Sequence, residues 1–276
     1  MVPGASIKHL PVGDRNATLT HYETASYNAS SILRAVILVH GIDRVGWDEW
    51  IYLNASLARA IQGGAVDPTT VVLSAPVFYI TQDVGAYPAA SGSSADAPVP
   101  VSNTLVWADQ DWGAGNDAVF PDRALMEGLP YGSSLSSRGR TIAQSRSQSR
   151  SRSRSKSTFA PSVEDGPGIG SFDALDALIA SYTNRTAFPQ LNRVVIAGFS
   201  LGAQLVSRYA FLRTDTTEDE RLTYWIASPG SFLYLNETRP ERIGRKCEST
   251  YNDFKVSISL SLSHTPFCKQ ARSSIS

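Results

Sequence analysis

Five consecutive residues, Gly198-Phe199-Ser200-Leu201-Gly202, set a serine between two glycines in a G-x-S-x-G spacing. That spacing serves acyl transfer when a strand turns sharply into a helix, because only such a corner holds the hydroxyl clear of the backbone at the strand's carboxyl end. Glycines at 198 and 202 remove side chains that would collide with the neighbouring strand and helix. The surrounding text supplies the corner. Asn192 to Ala197 (NRVVIA) is a short β-branched run, and Leu201, Leu205, Tyr209 and Leu212 share one face of a helix expected over 201–213. The helix start brings the Leu201 amide and the positive end of the dipole beside Ser200, where an oxyanion would develop.

A second oxyanion donor must come from another strand-to-helix loop. His40-Gly41-Ile42, at the end of the apolar run RAVILVH (34–40), is that loop, and the Ile42 and Leu201 amides are assigned to the hole. Asp43 is placed to orient or cap the loop, and His40, which precedes it, is read as a hydrogen-bonded structural residue. The chain has four histidines, His9, His21, His40 and His264. Only His264 follows Ser200, which makes it the expected base; Glu237 and Asp253 are the acid candidates, with Asp253 preferred.

The elements that must position these residues alternate apolar β-branched runs with helix-period stretches, the pattern of a parallel sheet covered on both faces. Strands are expected at 34–40, 70–78, 192–197 and 222–227, with 103–108 as a further candidate. Trp50, Leu53, Leu57 and Ile61 predict a helix over 48–61 that ends at Gly63-Gly64. Ser171 is a candidate cap for a helix carrying Phe172, Leu175, Leu178, Ile179 and Tyr182 on one face. Trp47, Trp50 and Trp112 suit a core better than a ligand pocket, and Asp109, Asp111, Asn116 and Asp117 suit a solvated turn better than a calcium loop, whose spacing they do not match.

With these motifs in place, the chain resembles the α/β-hydrolase superfamily, specifically fungal esterase- or lipase-like members that read VILVHGIDR…WDEW and AGFSLGAQ, over roughly Arg34 to Asp253. The resemblance implies an α/β fold with a mostly parallel sheet and helices on both faces; because the tail is short and unpatterned, the C-terminal strands of that fold are expected to be missing. It also implies a serine hydrolase acting on a small-molecule carboxylic ester through an acyl-enzyme on Ser200, with an acid and then a base after the serine. No metal or organic cofactor is implied. The alternative is a catalytically inactive hydrolase-like protein that lacks the base.

Composition bounds the rest. Of 276 residues, 42% are apolar and 18% charged, which suits one sizeable core, so residues 1–255 are read as a single domain. Within it, the stretch at about 132–162 is rich in serine and arginine, lacks an apolar period and is expected to be disordered. Seven basic residues fall between Ser133 and Thr158; without them 18 basic residues face 25 acidic ones, a balance of −7, so no nucleic-acid partner is expected of the body. A nuclear RS-repeat protein is the third reading. Residues 256–276 form an irregular tail, and Lys255-Val256-Ser257 can be encoded as AAG-GTA-AGT, the form of a splice donor. A message spliced after Lys255 is then expected to restore a strand, an acid and a histidine.

The start of the chain lacks the apolar stretch of a signal peptide, and no run is long enough to cross a bilayer. Yet five of nine asparagines, Asn16, Asn28, Asn54, Asn184 and Asn236, head N-x-[ST] sequons, which points to a secreted glycoprotein. Two cysteines, Cys247 and Cys268, allow at most one bridge.

Overall fold

The computed structural model describes residues 2–13, 17–83, 85–86, 103–121 and 168–232. The serine-arginine stretch, the tail at 256–276, both cysteines, Asn16, Asn236, Glu237, Asp253 and His264 lie outside them.

Six strands form the main sheet: β1 (Ala5–Val12), β2 (Ala17–Thr24), β3 (Arg34–Val39), β4 (Val71–Val77), β7 (Arg193–Phe199) and β8 (Leu222–Ala227). Their spatial order is β1-β2-β4-β3-β7-β8. The last four run parallel, while β2 is antiparallel to both β1 and β4. The fold is therefore α/β with a mixed, mostly parallel sheet. Tyr79–Ile80 (β5) and Val106–Trp107 (β6) pair in a separate two-stranded sheet. The strand expected over 103–108 thus shrinks to two residues paired with β5, and its start touches the main sheet only through a single parallel bridge between Thr104 and Thr18 of β2.

Alternation along the parallel strands sorts side chains to two faces. Ala35, Ile37, Val39, Val72, Val194 and Ile196 point into the larger core, against α2 (Ser171–Thr183) and α3 (Leu201–Leu212). Val71, Leu73 and Ala75 point the other way, where α1 (Gly46–Gln62) lays Trp50, Leu53 and Leu57 over them. Helices cover both faces because every central strand is apolar on both sides. The α1 layer stops short of β8, whose Trp225 remains 69% exposed.

The N-terminal hairpin β1–β2 is not visible in the sequence. Residues of β2 that face inward include His21 and Glu23, both buried, so the apolar alternation that marks a half-buried strand is broken by charge. Glu23 is tolerated there because Tyr182 and Tyr27 donate to its two oxygens at 2.7 and 3.1 Å.

One cap differs from expectation. Ser171 is the first residue of α2, and its hydroxyl donates to the Trp112 carbonyl at 2.6 Å. Gly170 takes the cap position, its amide donating to Asp173 Oδ2 at 2.7 Å. Ser171 therefore ties α2 to the 3-10 turn at Gln110–Ala114 rather than satisfying its own helix start.

Candidate active site

Ser200 occupies the single residue between β7 and α3, with φ 54° and ψ −115°. A positive φ is costly for a residue with a side chain, and it persists only where the surroundings fix it. Here both flanks do. A Cβ on Gly198 would come within 3.0 Å of the Gly202 carbonyl, and one on Gly202 within 3.0 Å of the His40 and Val39 carbonyls. The strand, the helix and β3 therefore approach so closely that only glycine fits at either position. The Ser200 amide donates to Ala227 O at 3.1 Å, so β8 also grips the corner.

Strands β3 and β7 are neighbours in register, Val39 opposite Gly198, which brings the residues following each strand together. A Cβ on Gly41 would lie 3.5 Å from Ser200 Cβ, an ordinary contact. The backbone of the His40-Gly41-Ile42 loop thus lies against the serine.

Hydrogen bonds orient that loop. The Gly41 carbonyl accepts from the Arg44 amide at 3.3 Å and from His40 Nδ1 at 2.8 Å. In a planar trans peptide the N–H points opposite to the C=O, so the Ile42 amide is directed away from the interior partners of Gly41. Neither the Ile42 nor the Leu201 amide has a backbone acceptor among the described residues. For Leu201 this follows from its place at the first position of α3.

His40 is fully buried, and both ring nitrogens are engaged: Nε2 accepts the Phe78 amide at 2.9 Å while Nδ1 faces the Gly41 carbonyl. Since Nε2 acts as an acceptor, Nδ1 carries the proton and the ring is neutral. Burial pushes its pKa down to about 4. The Trp112 and Phe78 rings enclose it, with centroids 4.7 and 5.8 Å away. His40 is a bracket for the loop.

The loop has a second tie that sequence reasoning missed. Asp43 is exposed, and the residue that braces the turn is Arg44. It has φ 56°, forms a two-pronged pair with Asp83 at 2.7 Å on each prong, and donates through a third nitrogen to the Ile42 carbonyl. A single arginine in a loop carries no sequence signal for this role, because its partner lies 39 residues away.

On the α1 side of the site, Glu49 is buried, and burial raises its carboxyl pKa against the pull of the Gly41 amide. Trp50 and Trp112 belong to the core, whereas Trp47 is 40% exposed. The other two described histidines are engaged elsewhere: His9 contacts Thr20 Oγ1 at 3.2 Å, and His21 Nε2 lies 3.5 Å from Glu23. Among the described residues no cluster of His, Cys, Asp and Glu is arranged to hold a metal ion. Likewise, none of their helices is long and apolar enough to cross a membrane.

No protein-family model matches the chain, and no curated protein matches it. Solved structures similar to it include poly(aspartic acid) hydrolase-1 from Sphingomonas sp. KT-1, at 16% identity over 84% of this chain and 59% of that one, with a TM-score of 0.41. Another is LpqC, a poly(3-hydroxybutyrate) depolymerase from Bordetella parapertussis, at 16% identity over 85% of this chain and 56% of that one, TM-score 0.40. A third is the siderophore hydrolase EstB from Aspergillus nidulans, at 14% identity over 77% and 53%, TM-score 0.33. The chain thus matches between 53% and 59% of the length of these structures.

Proposed function

We propose that the protein is a serine hydrolase of the α/β-hydrolase type that cleaves a small-molecule carboxylic ester, with Ser200 as the nucleophile. The observation that carries this reading is the strained Ser200 corner lying against the Gly41 backbone, with the Ile42 amide following Gly41 and the Leu201 amide following Ser200, neither having a backbone acceptor among the described residues. In this reading Ser200 Oγ attacks the ester carbonyl carbon and gives its proton to a base. The negative oxygen that forms is received by the Ile42 and Leu201 amides, prepaid in orientation by the loop bonds and the helix start. The C–O bond then breaks, the alcohol leaves with the proton from the base, and water hydrolyses the acyl-enzyme in the same way.

His264 is the base and Asp253 its orienting acid in this proposal; both lie outside the described residues. The inactive, hydrolase-like reading keeps one specific observation in its favour: His9, His21 and His40 all have other partners, and none lies in the chain order the mechanism requires.

A fluorophosphonate probe, which labels activated serines, separates the two. Labelling mapped to Ser200 and lost in Ser200→Ala is expected. An intact wild-type chain that takes up no label overturns the hydrolase reading in favour of the inactive one. His264→Ala is expected to slow labelling by roughly two to four orders of magnitude, the usual range for loss of a general base.

A further inference from the structure

Oxyanion donors work only if they are oriented before the reaction, so whatever holds the His40–Arg44 turn sets the donor's aim. His40 secures the start of that turn by accepting the Phe78 amide. Its end is secured by Arg44. Asp83 Oδ2 takes Arg44 Nε at 2.7 Å and also the Ile80 amide at 2.9 Å, while Oδ1 takes Arg44 Nη2 at 2.7 Å. Arg44 Nη1 reaches back to the Ile42 carbonyl. Both anchors therefore sit on one segment, residues 78–83, and the turn is fastened to it at each end.

The pair differs from an ordinary surface ion pair. Its side chains are 16% and 15% exposed, its geometry is that of a fork on a carboxylate, and Arg44 holds a positive φ that needs external support. Lysine cannot replace it, since an ammonium cannot span both Asp83 oxygens and the Ile42 carbonyl in one plane.

We infer that Arg44 and Asp83 are a positioning pair for the oxyanion hole: they hold the Gly41–Arg44 turn so that the Ile42 amide faces Ser200. This rests on the hydrolase reading for its consequence in catalysis, but the structural half of it stands separately. Neither residue is placed on the reacting atoms: Arg44 acts through the Ile42 carbonyl and through its own amide on Gly41 O, and Asp83 acts through Arg44.

The experiment compares wild type, Asp83→Asn and Arg44→Lys with a fluorophosphonate probe, separating the maximal labelling rate from the half-saturating probe concentration. Backbone amide exchange is followed at Arg44 and Gly46, whose amides donate to Gly41 O and Arg44 O. Folding is checked by near-ultraviolet circular dichroism. Asp83→Asn is expected to lower the maximal labelling rate roughly 10- to 100-fold with the half-saturating concentration changed less than about threefold, as for a donor left in place but misaimed. Exchange at the two amides should rise about tenfold or more, with Arg44→Lys between wild type and Asp83→Asn. Labelling of Asp83→Asn within twofold of a wild type that does label overturns the inference and leaves the hydrolase reading intact. If wild type takes no label, the hydrolase reading falls and exchange decides: faster exchange in Asp83→Asn upholds the pair as the holder of the turn, and unchanged exchange overturns it. Should Asp83→Asn fail to fold, the same two outcomes are read on Arg44→Lys.

Discussion

His40 Nε2 accepts the backbone amide of Phe78 across 38 residues of chain, and this one bond ties the loop after β3 to the end of β4. It forms only with a neutral ring, because a protonated imidazole has no acceptor left. The folded protein thus holds His40 at a pKa of about 4, below its ordinary 6.5, through burial. An unfolded chain takes up this proton below about 6.5 while the folded one refuses it until about 4. The associated stability is complete above pH 6.5 and drains away as pH falls towards 4, by about 3 kcal/mol at 1.36 kcal/mol per unit. Urea unfolding of wild type and His40→Gln at pH 7.5 and 4.5 isolates this group from other acid-titrating ones. The variant should be less stable at pH 7.5 and lose less on acidification; equal losses would refute the assignment.

Glycine substitutions divide by the space each one fills. Gly198→Ala and Gly202→Ala drive a methyl into backbone carbonyls that cannot move aside, so each should cost about 3 kcal/mol or more and lower the melting temperature by several degrees. Gly41→Ala meets only ordinary contacts and should fold like wild type. Its methyl nonetheless stands over Ser200, so probe labelling should slow by at least tenfold. Calorimetry with labelling on the same samples distinguishes the two classes.

Glu23 makes β2 an unusual inner strand. Burial pushes its carboxyl pKa up, but the contacts with His21, Tyr182 and Tyr27 together outweigh burial and hold it below 4.5. A carboxylate whose pKa is lowered by folding stabilises the protein above its unfolded value, and that contribution disappears as pH falls through the lowered one. Tyr182→Phe removes a donor at 2.7 Å from a buried oxygen and should cost about 1–3 kcal/mol at pH 7. The deficit should narrow below pH 4; a deficit constant with pH would show that the phenol packs and does not serve the charge.

The sequons at Asn28, Asn54 and Asn184 all sit on exposed residues. Asn28 and Asn184 have their side-chain oxygens turned to the backbone amides of Ser30 and Thr186, a local turn held at the surface. If the protein is made in a secretory host, glycosidase digestion should increase its gel mobility, and Asn28→Gln with Asn184→Gln should reduce that shift. An unchanged band in the wild type would remove the support for export.

Local sequence was enough to expect the corner at Ser200, because its signal is contiguous: a β-branched run, two glycines, and a helix whose apolar positions recur at Leu201, Leu205 and Tyr209, although β3 and β8 also hold it in place. The strands β3, β4 and β7 were legible for the same reason, as short apolar runs flanked by strands on both sides, and β8 as an apolar run paired along the edge of β7. Where long-range partners decide, the text was silent. Buried Glu23 hid β2 because the donor that satisfies its inner oxygen, the Tyr182 hydroxyl, comes from a helix 159 residues away. Ser171 looked like a cap until Trp112 claimed its hydroxyl. The same holds for the loop facing Ser200: the residues of His40-Gly41-Ile42 are written in the chain, but its aim comes from Phe78 and from the Arg44–Asp83 fork. Backbone conformation follows from near neighbours, whereas the direction of a single amide is settled by whichever distant groups fold against it.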